Sequence, residues 1–263
     1  MQHLFEDWPH LSQVFKTAGQ ILLLADFDGT LAPIVARPEL AEMSGRMKLF
    51  LPHLAKNSHF TVGILSGRSL SNLKRKVDVK GLIYAGNHGL EIETPNETYI
   101  HPKAIEASKL IRKVKRELIT NLSPFEGVFV EDKGLTLSVH YRLAVSEDSI
   151  KIKRIFSDTV RSYIEKGLLK QTEGKKVLEL RPPIDWNKGS AVLWLIEVLN
   201  LKNSLPIYMG DDKTDEDVFK VLGTGGVSVF IGEASASSRA VYYLRDVSEV
   251  EKFFEKMEGL FDK

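Results

Sequence analysis

Ile21-Leu22-Leu23-Leu24-Ala25 is an unbroken apolar run that stops at Asp26-Phe27-Asp28-Gly29-Thr30. Alternation of apolar and polar residues would mark a half-buried strand. A continuous run bounded by turn residues fits a strand buried on both faces, as in parallel sheets. Open sheets of that kind bind ligands beyond the carboxyl ends of their strands. Chemistry is therefore expected where the run ends. Asp26 and Asp28 are two residues apart, and residues i and i+2 of an extended segment share a face, so both carboxylates can address one point. Gly29 lets the chain turn immediately afterwards.

Residues 60–65, 82–85, 205–209 and 227–231 read as further strands, and 39–56, 69–76, 187–200, 214–222 and 248–257 as helices. Strands alternating with helices imply a parallel sheet with right-handed crossovers. Two more strands end in polar clusters, Ser66-Gly67-Arg68 and Gly210-Asp211-Asp212. If these strands are neighbours, several carboxylates, a hydroxyl and a cation converge. Close carboxylates do not all ionise without a cation. Oxygen ligands favour a hard ion, and Mg²⁺ is the commonest beside phosphate.

The middle of the chain has a different order. Residues 104–122 form one amphipathic helix pattern, with Ala107, Ile111, Val114, Leu118 and Leu122 at helical spacing. Strands follow at 128–131 and 135–141, then a helix at 149–166 and a hairpin over 168–172 and 177–181. This order predicts an antiparallel sheet with helices on one face. Prolines at His101-Pro102 and Pro182-Pro183 mark the hinges. The expected organisation is a catalytic core of residues 1–101 and 182–263, interrupted by an α+β cap of residues 102–181.

The 263 residues carry 36 Lys and Arg against 35 Asp and Glu, so no net charge draws the chain to nucleic acid or an anionic membrane. There are no cysteines, which excludes disulfides and thiolate metal sites. No apolar run approaches the roughly 18 residues needed to span a bilayer. The first ten residues lack the pattern of a signal peptide, so a cytoplasmic location is expected. Asn96-Glu97-Thr98 and Asn121-Leu122-Ser123 read as chance matches to a glycosylation pattern. The basic helix bearing Lys103, Lys109, Arg112, Lys113, Lys115 and Arg116 has no interleaved aromatics and reads as a solvated face.

Asp26-Phe27-Asp28-Gly29-Thr30-Leu31 resembles the first motif of the haloacid dehalogenase superfamily of phosphatases. Ser66, Lys188 in Asn187-Lys188-Gly189, and Gly210-Asp211-Asp212 resemble the second, third and fourth motifs, in order. The stretches 210–216, Gly86-Asn87-His88-Gly89 and 131–142 are similar to the trehalose-6-phosphate phosphatase family. The resemblance covers nearly the whole chain. It implies a Rossmann-like parallel-sheet core, with the cap of the type called C2.

The resemblance also implies roles. Asp26 attacks phosphorus and forms an aspartyl phosphate; Asp28 protonates the leaving oxygen and then activates water. Mg²⁺ is held by Asp26, the Asp28 backbone carbonyl and Asp211. Asp212 orients the ligands or balances Lys188. Asp215 caps the following helix or supports the acidic loop. Ser66, Gly67 and Lys188 meet phosphoryl oxygens, Ser66 and Gly67 at a helix N-terminus. Thr30 caps or buttresses the loop and also touches the nucleophile, at the substrate site. Arg68 is either a substrate contact or a solvated charge. His88 lies in a substrate-facing loop, and Glu131, Lys133 and Arg181 take sugar hydroxyls.

The expected reaction is hydrolysis of trehalose 6-phosphate by a monomer, with the synthase on a separate chain. The alternatives are a phosphatase for sucrose, mannosylglycerate or glucosylglycerol phosphate, and a non-catalytic sugar-phosphate sensor. A sensor is expected to have lost Asp26 or Asp28, and both are present.

Overall fold

The computed structural model describes residues 1–261. It has two compact units, one formed by residues 1–99 together with the chain from Trp186 onward, the other by residues 100–185. The strands, in chain order, are β1 (Gln2–His3), β2 (Ile21–Asp26), β3 (Phe60–Leu65), β4 (Ile83–Gly86), β5 (Glu91–Glu93), β6 (Thr98–Ile100), β7 (Phe129–Asp132), β8 (Leu137–His140), β9 (Lys170–Gly174), β10 (Val177–Arg181), β11 (Leu205–Gly210), β12 (Val227–Ile231) and β13 (Tyr242–Leu244). The helices are α1 (Trp8–Thr17), α2 (Met47–Lys56), α3 (Leu70–Val77), α4 (Pro102–Leu122), α5 (Ser149–Glu165), α6 (Lys188–Val198), α7 (Glu216–Leu222) and α8 (Val247–Phe261).

The larger unit is built on a sheet of order β1-β13-β12-β11-β2-β3-β4-β5-β6. It is parallel from β1 through β4, and β5 then pairs antiparallel with β4. β2 shows why its sequence is apolar throughout. Ile21, Leu23 and Ala25 pack in one cluster with residues of α1, α2, α3 and α8, while Leu22 and Leu24 pack in the other with residues of α6 and α7. Each side chain points to the face opposite its neighbour's, and both faces are covered.

The smaller unit carries the antiparallel sheet β7-β8-β10-β9. Leu137, Val139, Leu178 and Leu180 form a cluster with Ile111, Val114 and Leu118 of α4 and Ile152, Phe156 and Val160 of α5. The alternate residues of these strands, among them Glu131, Ser138 and Glu179, occupy the opposite, polar face.

The expectation of one helix over 39–56 is corrected. Only a short 3₁₀ turn, Pro38–Leu40, precedes α2. Ser44 starts that helix late, because its hydroxyl accepts the Met47 N–H at 3.1 Å, the bond by which an N-terminal serine satisfies a donor with no partner in the helix. The strands β1, β5, β6 and β13 are two or three residues long, too short for their periodicity to be read.

Candidate active site

β2 lies between β3 and β11, with Asp26 opposite Leu65 and Ala25 opposite Met209. This register brings Asp26, Ser66 and Asp211 out side by side at the carboxyl edge of the sheet. The turn after Asp28 closes with the Gly29 N–H bonded to the Ala32 carbonyl at 2.7 Å. Gly29 has a φ of 85° and lies so close to Asp211 that a Cβ there would collide with the Asp211 carboxylate. Only glycine meets both demands.

Lys188 opens α6, behind the Asn187 cap that accepts the Ser190 N–H at 2.9 Å. A cation is disfavoured at a helix N-terminus unless something compensates it. Its compensation is two carboxylates: Nζ lies 2.7 Å from Asp26 Oδ1 and 2.7 Å from Asp215 Oδ1. Asp215 Oδ1 also accepts from the Tyr208 hydroxyl at 2.6 Å, and Oδ2 accepts the Asp212 N–H at 2.9 Å. Asp215 is therefore the buried counter-ion of Lys188 and, through Oδ2, supports the acidic loop as expected; its side chain does not cap α7. Asp212 does not balance Lys188: its carboxylate accepts the Lys213 N–H, and its backbone N–H bonds Asp215. Tyr208 was not foreseen; its signal was a lone hydroxyl in the otherwise apolar strand that leads to Asp211.

Burial pushes the Asp26 carboxyl well above the usual range; Lys188 opposes that shift, and the nearby Asp215 and Asp211 charges add to it. Burial acts against the charge on Lys188, but Asp215 and Asp26 outweigh it and hold the ammonium protonated. The Tyr208 hydroxyl is raised by burial and then by Asp215, so it remains a donor.

Arg68 is neither a solvated charge nor free for a ligand. Its Nε and Nη2 donate to the two oxygens of Asp28 at 2.7 and 2.6 Å, Nη2 also to the Pro38 carbonyl and Nη1 to Asn72 Oδ1. The guanidinium lies over the Phe27 ring, 5.2 Å from its centroid. Four of its five N–H donors are thus committed within the protein.

Ser66 is buried, with its Oγ accepting the Arg68 N–H at 3.2 Å. It does not cap a helix; Ser69 caps α3 by accepting the Asn72 N–H. His88 has a left-handed backbone, φ 58°, and its ring covers Gly67 so closely that a Cβ there would meet it at 2.7 Å. The Thr30 hydroxyl is buried with no hydrogen-bond partner among the described residues. In the smaller unit, Glu131 Oε2 lies 2.8 Å from His140 Nε2, while Lys133 and Arg181 approach Glu179 at 3.4 and 3.9 Å.

One oxygen each of Asp26, Asp211 and Asp215 lies within 4.8 Å of the others. Such an all-carboxylate donor set suits a hard cation. Because Lys188, Tyr208 and Asp212 already occupy Asp215, the two carboxylates that fit the ion are Asp26 and Asp211.

Residues 24–249 match the sequence profile of the family described as Trehalose-phosphatase. The chain is 36% identical over 252 residues to an Arabidopsis thaliana protein described as "Probable trehalose-phosphate phosphatase D", covering 90% of this chain and 67% of that one. The fold is similar to the C-terminal domain of a trehalose-6-phosphate phosphatase from C. albicans, with TM-score 0.82, 22% identity and 98% of both chains covered. It is also similar to a haloacid dehalogenase-like hydrolase from Bacteroides thetaiotaomicron, with TM-score 0.63, 17% identity, and 90% of this chain and 99% of that one covered.

Proposed function

The chain belongs to the trehalose-phosphatase family, built on the haloacid dehalogenase fold, and from that premise we propose that it hydrolyses trehalose 6-phosphate to trehalose and phosphate. The observation that carries the mechanism is Asp26, buried at the end of β2 between Lys188 and Asp211. Asp26 attacks phosphorus, the bond from phosphorus to the sugar oxygen breaks, and the phosphoryl group passes to the carboxylate. Asp28 gives its proton to the leaving oxygen, then takes one from the water that cleaves the aspartyl phosphate.

Lys188 neutralises Asp26 in a dry site, where fixed charge acts most strongly. Ser66 and the Gly67 N–H hold phosphoryl oxygens, and Thr30 backs the loop that carries the nucleophile. Asp26, Asp211 and the Asp28 carbonyl would hold Mg²⁺, which would supply positive charge to offset the negative charge of the phosphoryl group. Arg68 keeps Asp28 in place between turnovers. In the cap, Glu131, Lys133 and Arg181 select the sugar, and His88 lines the core's substrate loop.

The test is phosphate release with Mg²⁺ from a panel of sugar phosphates. Preference for trehalose 6-phosphate, lost in EDTA, supports the proposal. Preference for another disaccharide phosphate keeps the chemistry and overturns the substrate. Release from none of them, with the protein folded, removes the phosphatase reading.

A further inference from the structure

Ser138 sits at the centre of the polar face of the smaller unit's sheet. Its register partners are Glu131 on β7 and Glu179 on β10. Cross-strand partners on one face of an antiparallel pair have Cβ atoms about 4.5–5.5 Å apart, so a small side chain lies between two long acidic ones. Ser138 is 1% exposed, and its Oγ has no hydrogen-bond partner among the described residues. A buried hydroxyl left without a partner costs about 1–3 kcal/mol. Native proteins seldom carry one without a reason, and an alanine at this position would remove the cost.

The neighbouring charges leave this hydroxyl out. Glu131 is bonded to His140, whose ring stacks on Phe129 at 4.4 Å. Glu179 is approached by Lys133 at 3.4 Å and Arg181 at 3.9 Å, and the Thr172 hydroxyl donates to it at 3.5 Å. Strong charge-assisted bonds are about 2.7–2.9 Å long. The Lys133–Glu179 contact, at 3.4 Å, is longer than that, and it is the one a sugar hydroxyl would replace.

We infer that Ser138 is a specificity-determining residue whose hydroxyl bonds a hydroxyl group of the sugar once the Lys133–Glu179 pair parts. The inference rests on the reading of the chain as a sugar-phosphate phosphatase. It identifies the ligand chemistry as a vicinal polyol, because a hydroxyl flanked by two carboxylates offers one donor-acceptor between two acceptors. A ring that presents several adjacent hydroxyls can meet all three.

The experiment compares wild type with Ser138→Ala on trehalose 6-phosphate and on p-nitrophenyl phosphate, a substrate with no sugar. The ratio of the two kcat/KM values is expected to fall about 3- to 10-fold in the variant, the worth of one neutral hydrogen bond. The loss should lie mainly in KM. Tm is expected to rise by about 2–4 °C, since removing the orphaned hydroxyl stabilises the folded state. An unchanged ratio would overturn the inference, and so would a lowered Tm, which would show the hydroxyl to be structurally bonded. If wild type cleaves p-nitrophenyl phosphate but no sugar phosphate, the parent reading fails and takes this inference with it.

Discussion

Arg68 grips both carboxylate oxygens of Asp28, at 2.7 Å from Nε and 2.6 Å from Nη2. The two side chains differ in exposure, 7% for Arg68 and 40% for Asp28. The guanidinium is thus a fixed buried fork, and the carboxylate is the partner that can turn. Arg68→Lys is expected to behave much like Arg68→Ala, because an ammonium cannot reproduce a bidentate planar fork. Both should lower kcat at least tenfold, the lysine variant keeping more of the stability. Steady-state kinetics with a thermal melt checks this; full activity in the lysine variant would show that the fork is dispensable.

Lys188→Met removes the cation shared by Asp26 and Asp215. Breaking a buried pair by deleting one partner costs about 3–5 kcal/mol, because the other charge stays behind. The variant should melt several degrees lower in chemical and thermal denaturation and lose activity. Asp215→Asn should mimic it in part, since Tyr208 and the Asp212 N–H lose the same acceptor.

The sequence reveals the site where chemistry and fold make the same demand. An apolar run that stops at Asp26 reads as a buried strand, while the adjacency that sets Asp211 beside it comes from the strand order of the structure. The division of apolar residues along α4 was legible from its spacing, and the four motifs from their resemblance to a phosphatase superfamily. The Arg68–Asp28 and Lys188–Asp215 pairs were not. Both depend on where long side chains end, 40 and 27 residues away along the chain, and no periodicity encodes that. Tyr208 was hidden because a tyrosine in a strand reads as core until its hydroxyl finds a partner. The helix expected from residue 39 failed because apolar spacing alone does not show that Ser44 sets its start.

Gly29→Ala forces a Cβ onto the Asp211 carboxylate at a backbone conformation that favours glycine. Asp211 must move, and with it the acidic cluster proposed to hold the cation. Calorimetric titration with Mg²⁺ is expected to show weakened binding, and kcat should fall by about 10²-fold, as a displacement of about 1 Å can cause. Wild-type Mg²⁺ binding in the variant would exclude Asp211 from the ion's ligands.

Glu249 in α8 accepts from the Arg245 N–H at 2.8 Å and lies 2.9 Å from His3 Nε2, joining α8 to the start of the chain. Burial alone would raise its carboxyl, but the Arg245 N–H and His3 outweigh burial and hold it below 4.5. A carboxyl lowered in the folded state stabilises above its unfolded pKa, and that contribution is lost as pH falls through the folded value. Glu249→Gln should therefore lower Tm at pH 7, with the gap to wild type closing below about pH 4.5. A gap independent of pH would assign the loss to packing alone.

The most direct test is to find the phosphoryl group on the nucleophile. Enzyme mixed with Mg²⁺ and phosphate-labelled trehalose 6-phosphate, quenched in acid within the first turnover, should carry label on the peptide containing Asp26. The label should be absent in Asp26→Asn, which lacks the nucleophile, and in Asp28→Asn it should both form and decay slowly, because that variant lacks the acid of the first step and the base of the second. Turnover with no protein-bound label, or label on another residue, would contradict the assignment of Asp26.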